Sequence, residues 1–390
     1  MDFLREELDR LEKEGLYRKL KVIDSCEGPT IKIAQDEYIL LSSNDYLGLT
    51  RHPKVKEKAK EAIERFGCGS GASRLISGTL SLHCELEKKL SEFKKTESAL
   101  VFASGYAANL GVISSLTGNG DVIIIDKLNH ASIIDGCRLS EADLRVYPHK
   151  NMVSLEKILK KTQNYRLRLI ITDGVFSMDG DIAPLPEIIN LAKRYNALVM
   201  VDDAHGTGAL GKEGRGTVEY FDLEGKIDIQ MGTLSKALGS LGGFIAGSKI
   251  LIEYLINKAR SFIYSTALSP AQVAAALASL EVIQAEPELQ QKLWENVKYL
   301  REGLQNIGFD TMGSQTQIIP VFIGDTDKTI QASKFLYENG IFAPAIRPPT
   351  VPKGKSRLRL SLMATHTNSH LDKVLSTFKA LQQKFPNPKK

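Results

Sequence analysis

Ala197-Leu-Val-Met-Val-Asp202-Asp-Ala-His205-Gly-Thr-Gly208 sets five consecutive apolar residues against a polar, glycine-bearing turn, with no alternation of apolar and polar positions. A short run that is apolar throughout reads as a strand buried on both faces, which argues a mostly parallel sheet covered by helices. In such sheets ligand-binding groups sit at the carboxyl ends of the strands, and Asp202 and His205 fall there. Short, nearly all-apolar runs recur at 122–125, 144–147, 167–172, 227–231 and 243–246, alternating with helix-length stretches. The expected fold is α/β, a mostly parallel sheet sandwiched by helices.

Outward from this centre the pattern changes. Leu4, Leu8, Leu11, Leu16 and Leu20 recur at helical spacing, followed by strand-like runs at 31–33 and 38–41. A helix is expected to start at Pro53, to place Val55, Ala59, Ala62, Ile63 and Phe66 on one face, and to end at Gly67. Beyond Leu280, amphipathic helices at 288–307, 329–339 and 371–385 interleave with strands at 317–323 and 357–364, the mixture of a smaller α+β domain. The expected organisation is an N-terminal arm (1–42), a large domain (43–280) and a small C-terminal domain (281–390) ending in a polar tail from Pro386.

Bulk properties exclude several classes of function. A chain of 390 residues with 43% hydrophobic and 25% charged residues folds throughout and exceeds one ordinary domain. Its net charge of +5 is spread without a basic block, so no nucleic-acid partner is expected. Cys26, Cys68, Cys84 and Cys137 are irregularly spaced with no C-x-x-C pair, which argues against a metal site and for a reducing, cytoplasmic location. The start of the chain lacks the apolar core of a signal peptide, and no apolar run approaches the ~18 residues of a membrane span.

Three segments carry chemistry. Thr233-Leu-Ser-Lys236-Ala-Leu-Gly239-Ser-Leu-Gly-Gly243 puts a lysine just past a strand, in a turn of small residues where its amine can approach a ligand carbonyl. Desolvation among such groups lowers an ammonium pKa and frees the nucleophile. A lone lysine there is ordinarily a solvated surface residue; its companions alter that reading. Asp202 is placed to pair with a cation, though an Asp at a strand end is also a common helix cap. Phe102-Ala-Ser104-Gly105-Tyr106-Ala-Ala-Asn109 leads small residues into a helix whose free N–H groups form an anion site. His130 follows the strand that ends near Asp126 and can stack on an aromatic ring. Gly206-Thr-Gly208-Ala-Leu-Gly211 matches G-x-G-x-x-G after a strand, but Lys212-Glu-Gly214-Arg-Gly216 cannot open a helix well, and a second match at 67–72 follows a helix. Neither supports a dinucleotide site.

Taken together with Ser42-Ser-Asn44-Asp-Tyr-Leu-Gly48, Gly69-Ser-Gly-Ala-Ser-Arg74-Leu-Ile-Ser-Gly-Thr79 and Asp173-Gly-Val-Phe-Ser177-Met-Asp-Gly-Asp-Ile-Ala-Pro184, these segments strongly resemble the α-oxoamine synthase family of fold type I pyridoxal-phosphate enzymes, along nearly the whole chain. The resemblance implies that pyridoxal 5'-phosphate is carried on Lys236, with Asp202 on the pyridine nitrogen, His205 on the ring oxygen and His130 over the ring face. It also implies that Ser104, Gly105 and Tyr106 lie near the cofactor, Ser177 beside the ring and Thr233 on the phosphate. In that family the site is shared across a homodimer, so Ser265 and Thr266 are expected to reach the phosphate of the partner subunit. Arg359 resembles the arginine for the amino-acid carboxylate, a task suited to a planar bidentate donor. Asn44, Arg18 and Thr350 are the other substrate contacts implied. Residues 71–78 and Ile346-Arg347-Pro-Pro-Thr350-Val-Pro favour the family member that condenses L-alanine with a pimeloyl thioester over the one that joins glycine to acetyl-CoA, or over a broad-specificity synthase.

Overall fold

A computed structural model describes residues 1–384. Its centre is a seven-stranded sheet in the order Ser98–Phe102, Gly243–Gly247, Ile229–Thr233, Leu198–Asp202, Arg168–Asp173, Val122–Asp126, Asp143–Tyr147. Gly243–Gly247 runs antiparallel to both neighbours and the other pairings are parallel. Successive side chains alternate between the faces. Ile123, Ile125, Leu169 and Ile171 pack with Val112, Ile113 and Ile133 of helices Gly105–Leu116 and Ala131–Leu139 on one side. On the other, Val122, Ile124, Ile170 and Val199 pack with Leu155, Leu159 and Ile188 of helices Met152–Lys161 and Leu185–Arg194. The sheet is therefore buried on both faces, as its apolar runs require.

The edge strand Asp143–Tyr147 departs from that expectation. Only Tyr147 is buried and Val146 is half-exposed, because an edge strand has a neighbour on one side only.

A three-stranded antiparallel sheet, Ile318–Gly324, Ser356–Ser361 and Ala345–Ile346, packs with helices Glu288–Ile307, Thr326–Glu338 and Asn368–Lys384. Phe385, the expected end of the last helix, and the polar tail from Pro386 lie outside the described residues. Thr30–Ile33 and Asp36–Leu40 form a hairpin that Ile341–Phe342 joins in parallel register, so this N-terminal segment is built into a sheet with the C-terminal part. One core cluster runs from Leu41, Tyr46 and Leu49 through Leu293 and Leu360 to Phe378.

Two expectations are corrected. The first helix is Asp2–Lys13 and does not reach Leu20: Gly15, at φ +65°, turns the chain out of helix after Glu14. The helix at Pro53–Phe66 buries Val55 and Ala62, whereas Ile63 at its margin is exposed.

Candidate active site

Parallel register delivers Asp126, Asp173, Asp202 and Thr233 to one edge of the sheet as the last residues of their strands. Asp173 and Asp202 are direct partners across adjacent strands. A cavity of about 190 Å³ opens there, lined by Gly105, His130, Asp202, His205, Thr233 and Lys236 among others. Seven of the residues singled out from sequence thus converge, Tyr106 among them.

Among the described residues lining this cavity, Lys236 carries the one primary amine. Its Nζ is 2.9 Å from His205 Nε2. Loss of solvation lowers its pKa to about 8; the Asp202 charge opposes that shift and Arg359 adds to it. An ammonium has only donors, so His205 Nε2 accepts from Nζ and the ring proton must sit on Nδ1. Nδ1 then donates to Tyr46 Oη at 2.6 Å, and the Tyr46 hydroxyl donates to Asn44 Oδ1 at 3.1 Å. That same oxygen accepts from Arg359 Nη2 at 3.2 Å. A polar chain with every proton assigned thus joins Lys236 to Arg359. Burial and the Lys236 charge hold His205 well below its usual pKa, consistent with a neutral ring.

Asp202 is buried, accepting from Asn109 Nδ2 at 2.7 Å and from the Ala204 N–H at 3.1 Å. Among the described residues, no cationic nitrogen lies within 4 Å of it. Asn109 Nδ2 also donates to Ser132 Oγ at 2.8 Å, and Ser132 lies 2.7 Å from His130 Nδ1, so Asn109 links the carboxylate to the His130 ring. Asp173 is pushed well above the ordinary carboxylate range by burial and by the Asp202 charge.

One wall of the cavity is set by the start of helix Gly105–Leu116. Ser104 caps it, its Oγ accepting from the Ala107 N–H at 3.0 Å and its carbonyl from Ala108. The N–H groups of Gly105 and Tyr106, which no intrahelical carbonyl can reach, remain at the cavity wall. Gly105 is required by close approach: a Cβ there would stand 2.9 Å from Met231 Cε and 3.6 Å from Thr233 Oγ1. The Tyr106 ring is half-exposed, its hydroxyl donating to Asp135.

Arg359 is buried with no carboxylate within 4 Å among the described residues. It donates through Nε to the Ser177 carbonyl at 2.5 Å, through Nη1 to Ser361 Oγ at 2.8 Å, and through Nη2 to Asn44. Ser177 therefore enters through its carbonyl, and it is not among the residues lining the Lys236 cavity. Arg18 Nη2 donates to Thr350 Oγ1 at 3.3 Å, bringing together two residues 332 positions apart. Ser265 and Thr266 stand away from Lys236 and line a separate small cavity with Arg74 and His83. Sequence reasoning assigned no role to Tyr46, Asn109, Ser132 or Asp173, although Tyr46, Asn109 and Asp173 sit inside quoted motifs. For Tyr46, Asn109 and Asp173 the partners His205, Asp202 and His130 are distant in sequence, so membership of a motif was the one signal; Ser132 had only its closeness to His130.

Residues 36–378 match the family described as aminotransferase class I and II, and the chain belongs to that family. Its relatives include the 8-amino-7-oxononanoate synthase of Bacillus pumilus (strain SAFR-032), 54% identical over 374 residues that cover 96% of this chain and 95% of that protein. The 8-amino-7-oxononanoate synthase of Thermoanaerobacter pseudethanolicus is 52% identical over 379 residues, covering 97% and 96%. Among solved structures, a variant of serine palmitoyltransferase from S. paucimobilis with a bound PLP–myriocin aldimine is 36% identical and superimposes with a TM-score of 0.93, over 98% of this chain and 97% of that one.

Proposed function

We propose that the chain catalyses the reaction for which its relatives are named, the condensation of L-alanine with a pimeloyl thioester that releases carbon dioxide and free thiol and yields 8-amino-7-oxononanoate, a step of biotin biosynthesis. The observation that carries the reading is one polar chain, Lys236–His205–Tyr46–Asn44–Arg359, that joins a buried lysine to a buried arginine. Buried Asp202 lines the same cavity as Lys236, and among the described residues no carboxylate lies within 4 Å of Arg359.

The cavity fits pyridoxal phosphate by its donor set. Lys236 would carry it, Asp202 would face the ring nitrogen, His205 the ring oxygen and His130 the ring face. The free N–H groups at Gly105 and Tyr106, with Thr233, would take the phosphate. When bound, the cofactor supplies an electrophilic carbon and a ring that accepts the electron pair left at the amino-acid Cα.

The protein's own residues orient and move protons. Of the five N–H donors of Arg359, three are committed to Ser177, Ser361 and Asn44. Two remain for the alanine carboxylate, enough for a bidentate pair. Lys236 Nζ, with a pKa of about 8, takes the Cα proton near neutral pH and returns it at the end of the cycle. His205, held by Tyr46, fixes where Nζ points. Arg18 and Thr350 would meet the far carboxylate of the acyl chain. The chain would act in the cytoplasm as a homodimer. This is supported by four free cysteines and by exposed Leu75, Ile76 and Tyr264 close to the Thr266 segment. No helix among the described residues is long and apolar enough to cross a membrane.

The test is to follow thiol release and product mass with pimeloyl and acetyl thioesters crossed against alanine and glycine. Pimeloyl with alanine is expected to give the highest kcat/KM, because each buried methylene contributes ~0.8 kcal/mol and an acetyl group leaves the distal polar contacts unpaired. A win for acetyl with glycine would replace the reading with the other family activity. Thiol release from none of the four pairs would refute acyl transfer.

A further inference from the structure

Residues 174–183 form a small hairpin: Val175 and Ile182 bridge, the Phe176 N–H donates to the Asp181 carbonyl at 3.0 Å, and the Ala183 N–H donates to the Gly174 carbonyl at 3.0 Å. The hairpin supplies the acceptors for two arginines. Ser177 O takes Arg359 Nε, while Met178 O and Asp179 Oδ1 take Arg357 Nη1 at 3.2 and 2.6 Å. One side of its tip is tied to the C-terminal part, where Gly180 O accepts from the Gln315 N–H and Thr316 Oγ1.

The other tie is a histidine between two carboxylates. His149 Nδ1 lies 3.0 Å from Asp126 Oδ1 and Nε2 lies 2.9 Å from Asp181 Oδ2. An ionised carboxylate oxygen only accepts, so both ring nitrogens must donate, and only the imidazolium does that. The ring is braced edge-on against Phe176, 4.4 Å between centroids at 87°. Asp126 is itself fixed by the Leu128 and Lys150 N–H groups, each at 2.8 Å, so the clamp has one rigid jaw on the sheet and one on the hairpin. The charged and titratable groups around it are Asp126 from the central sheet, Asp181 from the hairpin, Lys150, whose Nζ also reaches Asp181 Oδ2 at 2.9 Å, and buried Tyr147 in the field of Asp126 and Asp173.

We propose that His149 is a positioning residue for the amino-acid site: as an imidazolium joining Asp126 to Asp181, it holds the hairpin where the Ser177 carbonyl orients Arg359. The inference rests on the reading of Arg359 as the carboxylate binder and adds how that side chain is aimed. Burial works against charge on His149, but its two carboxylate partners hold it at about 9. The clamp is closed at neutral pH and opens as pH rises through that value, leaving Lys150 as the cation on Asp181.

The experiment uses holoenzyme with His149→Gln, whose neutral amide can donate to one carboxylate only. The alanine dissociation constant is titrated by cofactor absorbance from about pH 7 to 10 beside wild type; the ratio of the two constants cancels the titration of alanine itself. At pH 7 the variant is expected to bind alanine roughly three- to tenfold more weakly, in the range of coupling through a packed network. Its kcat and its KM for the acyl thioester should change less than twofold, and the ratio should fall toward one by pH 10. A ratio of one at pH 7, or a raised ratio that does not change to pH 10, overturns the proposal. Arg359→Lys is titrated alongside. If it binds alanine as wild type does, the carboxylate reading itself fails; if it weakens binding while His149→Gln does not, only the positioning role fails. Should His149→Gln not fold, Asp181→Asn removes the opposite jaw; because it also releases Lys150, it is expected to weaken alanine binding at pH 7 by at least as much, with a ratio that falls toward pH 10 but stays above one, and a ratio of one at pH 7 overturns the proposal.

Discussion

Replacing Arg359 with methionine keeps most of the side-chain volume and removes every donor. The ligand loses the two N–H groups that the protein leaves uncommitted once Ser177, Ser361 and Asn44 have taken three of the five. At about 1.5 kcal/mol for each hydrogen bond to a charged group, the low end of the range, the loss is about 3 kcal/mol, or roughly 150-fold in the alanine dissociation constant. Stability should move far less. Among the described residues no carboxylate lies within 4 Å of the buried guanidinium, so its removal relieves a desolvation cost while the Ser177 carbonyl, Ser361 Oγ and Asn44 Oδ1 each lose a donor. These terms oppose, leaving a net change of about 1 kcal/mol, roughly 2 °C in Tm for a chain of this size. The assay is titration of holoenzyme with alanine by cofactor absorbance, paired with calorimetry. An unchanged alanine constant would show that another group holds the carboxylate. A fall in Tm beyond about 10 °C with equal weakening toward both substrates would show that Arg359 serves the fold.

Lys94→Ala should destabilise the protein by roughly 3–5 kcal/mol, because it strands Asp203 with its charge fully buried; chemical denaturation reads this directly. His149 has a folded pKa, about 9, above its unfolded value near 6.5, so its contribution to stability is complete below pH 6.5 and is lost as pH rises through 9. Denaturation curves should show that decline in wild type and a flatter profile in His149→Gln. Arg18→Ala should raise KM for the pimeloyl thioester severalfold and leave the alanine constant unchanged, since Arg18 meets Thr350 and has no contact with the Arg359 chain.

The central strands were legible to within two residues, because a strand buried on both faces is apolar at nearly every position and is bounded by the polar groups it presents. Residues 243–246 were grouped with the other apolar runs of a mostly parallel sheet with no direction assigned, and that strand runs antiparallel. The nine residues between Thr233 and Gly243 are too few for the dozen or more that a parallel crossover needs. Ser98–Phe102 escaped notice as a strand because its apolar run merges with the small residues that open the next helix. The first helix was drawn too long because leucine spacing was followed across Gly15. At the site, residues in dense motifs such as Lys236, Asp202 and His205 were legible. Tyr46 and Asn109 were not, since their partners lie 159 and 93 positions away and only the fold brings them together.

Every role proposed at the site depends on Lys236 carrying the cofactor in the cavity at the sheet's edge. Protein reconstituted with pyridoxal phosphate, reduced with borohydride and digested for peptide mass mapping tests it directly. One reduced-cofactor adduct is expected, on the peptide containing Thr233 to Gly243 at Lys236, with its loss in Lys236→Ala together with a rate loss of ~10² to 10⁴ from removal of the base. An adduct on another lysine, or none in wild type, would contradict it.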